Sequence, residues 1–175
     1  MRANFGFTLI ETMVTLTIAV ILLTIAVPSF LTFIQNSRLS SQTSDLTTAM
    51  MYARSEAVAR NQTVIIGSTD NSVNWGGGYR VKLQDGTVLR DYSALSGGNH
   101  LTGPASLYFN SSGYKDPSNT TISMQLCDSR DVSRQIILSG QGRAQYCSCD
   151  PNSSSPPFCG SSAVYSSANC AAACP

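Results

Sequence analysis

Glu11 is the first residue of this chain that invites a chemical reading. It stands at the head of a run, Thr12 to Gln35, in which nothing ionises. A carboxylate at the edge of hydrocarbon is costly unless it is paired or neutralised, so such residues are functional candidates. Just upstream lie Gly6 and Phe7, behind a short leader that carries Arg2. A cut after Gly6 frees an amine on Phe7, four residues before Glu11. Glu11 then has two possible roles. It is a carboxylate solvated by headgroups at the membrane interface, or it meets the amine of a neighbouring subunit and sets register between bundled helices.

The second group of reactive side chains is the cysteines. All six, Cys127, Cys147, Cys149, Cys159, Cys170 and Cys174, fall in the last third of the chain. That usage suits an oxidising compartment and disulfides, with 15 pairings open if all six bond. A zinc site is the rival, but Cys147-Ser148-Cys149 lacks the usual two-residue gap and the sole histidine, His100, is far away in sequence. No metal and no cofactor is expected. His100 lies in a glycine-asparagine stretch with no acid at a telling spacing, and no nucleophile elbow or paired-carboxylate signature is present, so no catalysis is expected.

Arg130, Arg134 and Arg143 are candidates for a phosphate-binding patch. One to three arginines give weak, salt-sensitive binding, and Asp128 and Asp131 among them oppose it. The alternative is a hairpin turn that presents a solvated arginine. Net charge is only +1, with 12% charged residues, so no strongly charged partner is implied for the chain as a whole.

The elements that must position these groups start with the apolar run. At about 1.5 Å per residue, roughly 22 residues span ~33 Å, the thickness of a bilayer's hydrocarbon. An ordinary secretory signal places its small-residue cleavage site after the apolar core. Here Gly6 precedes it, so the helix stays on the mature protein, and Arg2 favours a cytoplasmic N-terminus. Pro28 removes one backbone hydrogen bond from this helix and marks a simple kink. Further on, Leu39, Leu46, Met50, Ala53 and Ala57 recur at spacings of seven, four, three and four, one helical stripe. Glu56 and Arg60 stand at i and i+4, and Asn61 is a plausible stop. The pattern predicts one helix from Phe7 to about Arg60.

The chain beyond Asn61 reads as sheet. Thr63–Gly67 is a short buried-strand pattern. Tyr79, Val81 and Leu83 alternate with Arg80, Lys82 and Gln84. Asp85-Gly86 predicts a two-residue hairpin turn, with a return strand from Thr87 to Tyr92. Later strands are expected at Ser106–Phe109, Thr121–Cys127, Gln135–Ser139 and Arg143–Cys147. Trp75, beside glycines, reads as a core plug rather than a ligand platform. Arg54 and Glu56, near Tyr52, read as a surface or inter-subunit charge set. The tail from Ser148 to Pro175 is rich in Ser, Ala, Pro and Cys. It has no clear periodicity, so disulfides would have to order it. The expected organisation is a leader, 1–6; an apolar helix, 7–36; a head, 37–147; and an extension, 148–175.

Gly6-Phe7-Thr8-Leu9-Ile10-Glu11 resembles the class III signal of type IV pilins and pseudopilins. The resemblance implies cleavage by a prepilin peptidase between Gly6 and Phe7, N-methylation of Phe7, and assembly driven from an inner-membrane platform. The family's assembly glutamate falls on Glu11 and its helix-kinking proline on Pro28, which the resemblance implies is a segment that can loosen in the filament. The stretch Leu46-x3-Met50-x-Tyr52-Ala53-Arg54-Ser55-Glu56-Ala57-Val58, with Trp75-Gly76-x-Gly78-Tyr79, is similar to minor pilins of the FimT/FimU group and to H-type pseudopilins of type II secretion. This implies an α+β fold, a long N-terminal helix packed on an antiparallel sheet head. It also implies a minor pilin that initiates or caps a type IV pilus with other major and minor pilins. Such a subunit sits single-pass in inner-membrane lipid with its head in the periplasm until it joins the extracellular pilus. An H-type pseudopilin is the alternative. Ser139-Gly140-Gln141-Gly142-Arg143-Ala144-Gln145 resembles the glycine-arginine motif of DNA-binding FimT-type pilins. Gly142 and Arg143 match, but Gln145 replaces the second arginine, so DNA is a further possible partner.

Overall fold

The structure, a computed structural model, describes residues 8–117 and 120–149. The chain divides into two units, 1–37 and 38–175.

Helix α1, Leu9–Arg60, supplies the described part of the first unit and opens the second. Its start is capped by Thr8: the Thr8 hydroxyl accepts from the Glu11 amide at 3.3 Å, and the Thr8 carbonyl accepts from Glu11 and Thr12. The helix passes through Pro28 without a break. It ends where the sequence predicts. Asn61 takes a left-handed φ of 53°, Gln62 donates to the Ala57 carbonyl and Asn61 to that of Val58, a Schellman closure.

Within the second unit α1 buries Leu39, Thr43, Leu46, Ala49, Met50, Ala53 and Ala57. The predicted stripe is all there, and Thr43 and Ala49 complete it. Thr43 tolerates burial because its hydroxyl donates to the Leu39 carbonyl at 2.7 Å. Truncating Leu39 or Leu46 would leave a cavity, at a cost of about 2–5 kcal/mol.

Two antiparallel sheets meet this stripe. The first contains β1 (Val64–Ser68), β2 (Tyr79–Leu83), β3 (Val88–Tyr92), β5 (Ser106–Phe109) and β6 (Lys115–Asp116), in the order β3-β2-β1-β5-β6. The second contains β4 (His100–Thr102), β7 (Ile122–Cys127), β8 (Ser133–Leu138) and β9 (Ala144–Cys149), in the order β4-β7-β8-β9. β2 buries every second residue, as its alternation predicts. One core joins Leu46 and Met50 of α1 to Ile66, Val81 and Phe109 of the first sheet and Met124, Leu126 and Ile136 of the second. Trp75 is fully buried in it and donates its indole N–H to the Pro104 carbonyl at 2.9 Å, so it is a core plug.

Three expectations need correction. The β2–β3 connection has three residues, Gln84-Asp85-Gly86, because the Leu83 amide pairs with Thr87. Gly86, with φ at 93°, provides the left-handed residue that a three-residue hairpin loop requires. His100 begins strand β4 opposite Cys127 rather than sitting in a loop. The short β4 and β6 have no counterpart among the strands expected from sequence.

Candidate assembly site

Glu11 lies in the first turn of α1. Thr8-Leu9-Ile10-Glu11 has the capping-box spacing, a sequence signal that the apolar pattern alone does not bring out. The threonine half of that box is formed. Among the described residues no hydrogen bond or ion pair holds the Glu11 carboxylate, and the residue is exposed. Its carboxylate is free to meet a cation from outside the chain. Gly6 and Phe7, the expected cut and methylated terminus, lie outside the described residues, as do the leader and Cys159, Cys170 and Cys174.

Behind Glu11 the helix exposes Leu, Ile, Val, Met and Phe on every side as far as Phe33. A helix apolar all round belongs in lipid or in the core of an assembly. Its polar side chains are consistent with that. The hydroxyls of Thr12, Thr15, Thr17, Thr24 and Thr32 each donate to a carbonyl three or four residues back. Those bonds satisfy the hydroxyls internally, as hydrocarbon demands. This is the one helix among the described residues that is long and apolar enough to cross a membrane.

The three candidate arginines do not converge. Arg130 is committed to Asp128, whose carboxylate takes its Nε at 2.9 Å and its Nη2 at 2.5 Å. The other Asp128 oxygen accepts the amides of Arg130 and Val132, so this buried aspartate builds the β7–β8 turn. Arg134 is half-buried in β8 opposite Leu126. Arg143 is exposed in the turn at the other end of β8; it pairs with Ser139, five positions beyond Arg134, so the two arginines are about 16 Å or more apart at the strand rise.

Tyr52, Arg54 and Glu56 also separate. Glu56 pairs with Arg60 at 2.5 Å, which raises the Arg60 pKa chiefly through the hydrogen bond. The Arg54 Nη1 donates a long bond, 3.5 Å, to the Gly142 carbonyl. Tyr52 lies under Arg90, whose guanidinium carbon is 5.6 Å from that ring and 5.2 Å from the Tyr92 ring. Arg90 and Tyr92 line a cleft of about 380 Å³ with Gln42, Asp45 and Tyr79. Sequence spacing gave no hint of that cleft, because its walls come from α1, β2 and β3.

Lys115 is the other group the sequence did not single out. It is buried, and its ammonium donates to the Pro117 carbonyl at 2.5 Å and the Thr120 hydroxyl at 2.7 Å. Desolvation pushes its pKa down. Its amide donates to the Gly140 carbonyl, tying the first sheet to the β8–β9 turn.

Comparison with known proteins falls along the same division. Residues 42–142 match the family model described as type II transport protein GspH. Residues 1–27 match the prokaryotic N-terminal methylation motif. No curated protein matches the chain. Two crystal structures of the type IV minor pilin FimU from Pseudomonas aeruginosa strain PAO1 are similar to it. One aligns with 25% identity and a TM-score of 0.57, over 65% of this chain and 90% of that one. The other aligns with 26% identity and a TM-score of 0.54, over 62% and 91%.

Proposed function

This chain belongs to the family of type II transport protein GspH, and we propose on that premise that it is a minor pilin that primes or caps a type IV pilus. The likeness to FimU, which extends over nine tenths of that pilin's crystallised chain, supports this reading most directly. It is a structural subunit, not an enzyme, and its family implies assembly with other pilins.

The N-terminal motif supports a sequence of events. A prepilin peptidase cuts after Gly6, Phe7 is N-methylated, and the apolar stretch of α1 holds the subunit in the inner membrane with its head in the periplasm. On entry into the filament Glu11 accepts the Phe7 amine of a neighbour. In a low-dielectric bundle an unpaired carboxylate costs several kcal/mol, so only the register that pairs it is stable. Pro28 leaves the Thr24 carbonyl without its helical partner, a place where the helix can yield during packing.

A second reading, an H-type pseudopilin of a type II secretion system, is supported by the name of the matched family itself. Cells carrying a tagged chain and a clean deletion separate the two. The pilus reading expects the tagged chain in sheared filaments and fewer pili in the deletion. Normal piliation with loss of exported proteins would give the assignment to the secretion system.

A further inference from the structure

Two opposite charges stand unanswered at the cleft between α1 and β3. Asp45 and Arg90 both line it, with Gln42, Tyr79, Tyr92 and Ser93. Both are exposed, and among the described residues neither makes an ion pair or a hydrogen bond. The adjacent Asp91 differs, because Arg80 answers it at 3.6 Å. The Tyr92 hydroxyl oxygen is buried and also lacks a hydrogen bond among the described residues. A buried polar group left in that state calls for a reason. Burial pushes the Tyr92 pKa up, and Arg90 and Asp45 act on it with opposite signs, so both charges reach this phenol.

The cleft is held in shape before anything enters it. Arg90 lies over the rings of Tyr52 and Tyr92, which orients its planar fork. Gln42 fixes the opposite wall. Its Nε2 donates to the Ser96 carbonyl at 3.1 Å, and its Oε1 accepts from the Asn99 side chain at 2.6 Å. The Leu95 amide donates to the Gly76 carbonyl at 2.9 Å, and the Arg38 side chain lies against Gly97. Tyr79 stacks on Tyr92 and Arg90 covers Tyr92, so these rings are already engaged and recognition falls to the polar groups. Groups able to donate dominate: the Arg90 guanidinium and the hydroxyls of Tyr79, Tyr92 and Ser93, against one obligate acceptor, Asp45. That set fits a carboxylate with an N–H beside it. β3 is also the end strand of its sheet, so among the described residues no strand pairs its far edge. Charge on an edge strand discourages indiscriminate pairing, and a visitor must answer Arg90.

We propose that this cleft receives an acidic side chain from a neighbouring pilin subunit. Its carboxylate takes the Arg90 fork and the Tyr92 hydroxyl, and a main-chain N–H beside it donates to Asp45. The proposal rests on the reading of this chain as a filament subunit. A cleft beside a free edge strand suits a protein partner, because an extended segment can lie along the edge while one side chain enters. A pre-oriented guanidinium makes strong, directional bonds to a carboxylate, and little ordering remains to oppose binding. Arg90 repels a basic side chain, and Asp45 repels a carboxylate that brings no donor with it.

The test is photo-crosslinking in cells that carry the full chain with a photoreactive amino acid in place of Ser93, which is exposed and lines the cleft. Mass spectrometry of sheared filaments identifies what is captured. Capture of another pilin at a peptide containing Asp or Glu is expected. Arg90→Glu should cut that capture about tenfold or more, and exchanging the captured acid for arginine in the partner should restore it. Tyr92→Phe is the gentler variant, because it keeps the ring and removes only the orphaned hydroxyl. Thermal unfolding of that variant, as the full chain in detergent, should stay at or above the wild-type temperature, while capture falls about threefold or more. Capture of a peptide from the same chain, or capture that either variant leaves at the wild-type level, would overturn the docking. So would a wild-type chain present in filaments with nothing captured at Ser93, and the pilus reading would then stand without it. A wild-type chain absent from filaments would remove that reading and the docking together.

Discussion

Gly142 presses against the carbonyl of Gly113: a Cβ built on Gly142 would lie 2.5 Å from that oxygen. Gly142 also holds a left-handed φ of 73°. The β8–β9 turn thereby docks on the β5–β6 turn, with Arg54 alongside. Gly142→Ala meets both a backbone clash and an unfavourable φ, and should destabilise the head by about 2 kcal/mol. Thermal unfolding of the soluble head, residues 38–175, measures it. Arg143→Ala, one residue away and exposed, should change stability by less than about 0.5 kcal/mol. Equal effects of the two would contradict the docking.

Arg143 also decides the nucleic-acid question. With Arg130 held by Asp128 and Arg134 half-buried in β8, one exposed arginine of the three remains. A single phosphate contact is weak and salt-sensitive. The soluble head should give no gel retardation of duplex DNA at physiological salt. Retardation that Arg143→Ala abolishes would restore the DNA-binding alternative.

Tyr79 sets an alkaline limit on stability. It is 3% exposed and stacks on Tyr92 with ring centroids 4.7 Å apart. Burial, the largest cause, pushes its pKa well above the usual phenol range. The unfolded chain releases this proton near pH 10, while the folded chain keeps it. Stability is fully present below that pH and falls as pH climbs toward the raised folded value. Denaturant titrations between pH 8 and 11.5 should show the decline, and Tyr79→Phe should flatten it. An identical slope in the variant would remove Tyr79 as the cause.

Glu11→Ala should leave maturation intact, because the cut lies upstream in the leader. It should still enter filaments poorly, because the terminal amine of the neighbour loses its acceptor. Immunoblots of membrane and sheared-filament fractions read both steps. Wild-type incorporation would refute the pairing, and failure to mature would show that Glu11 acts earlier. Gly6→Leu is the complementary case, expected to remain as uncut precursor in the membrane.

Much of the fold was legible in local periodicity. The seven-four-three-four stripe, the stop at Asn61 and the alternation of β2 are properties of neighbouring residues, so α1 and the central strands could be read off the chain. The family signature around Glu11 is equally local. The tertiary structure alone decided the rest. β4 and β6, three and two residues long, are strands only because β7 and β5 supply their hydrogen-bond partners. The arginines that neighbour one another in sequence were pulled apart by the length of β8, and Arg130 was claimed by a turn. The placing of β8 between Cys127 and Cys147 is likewise a fact of strand order, which no spacing along the chain encodes.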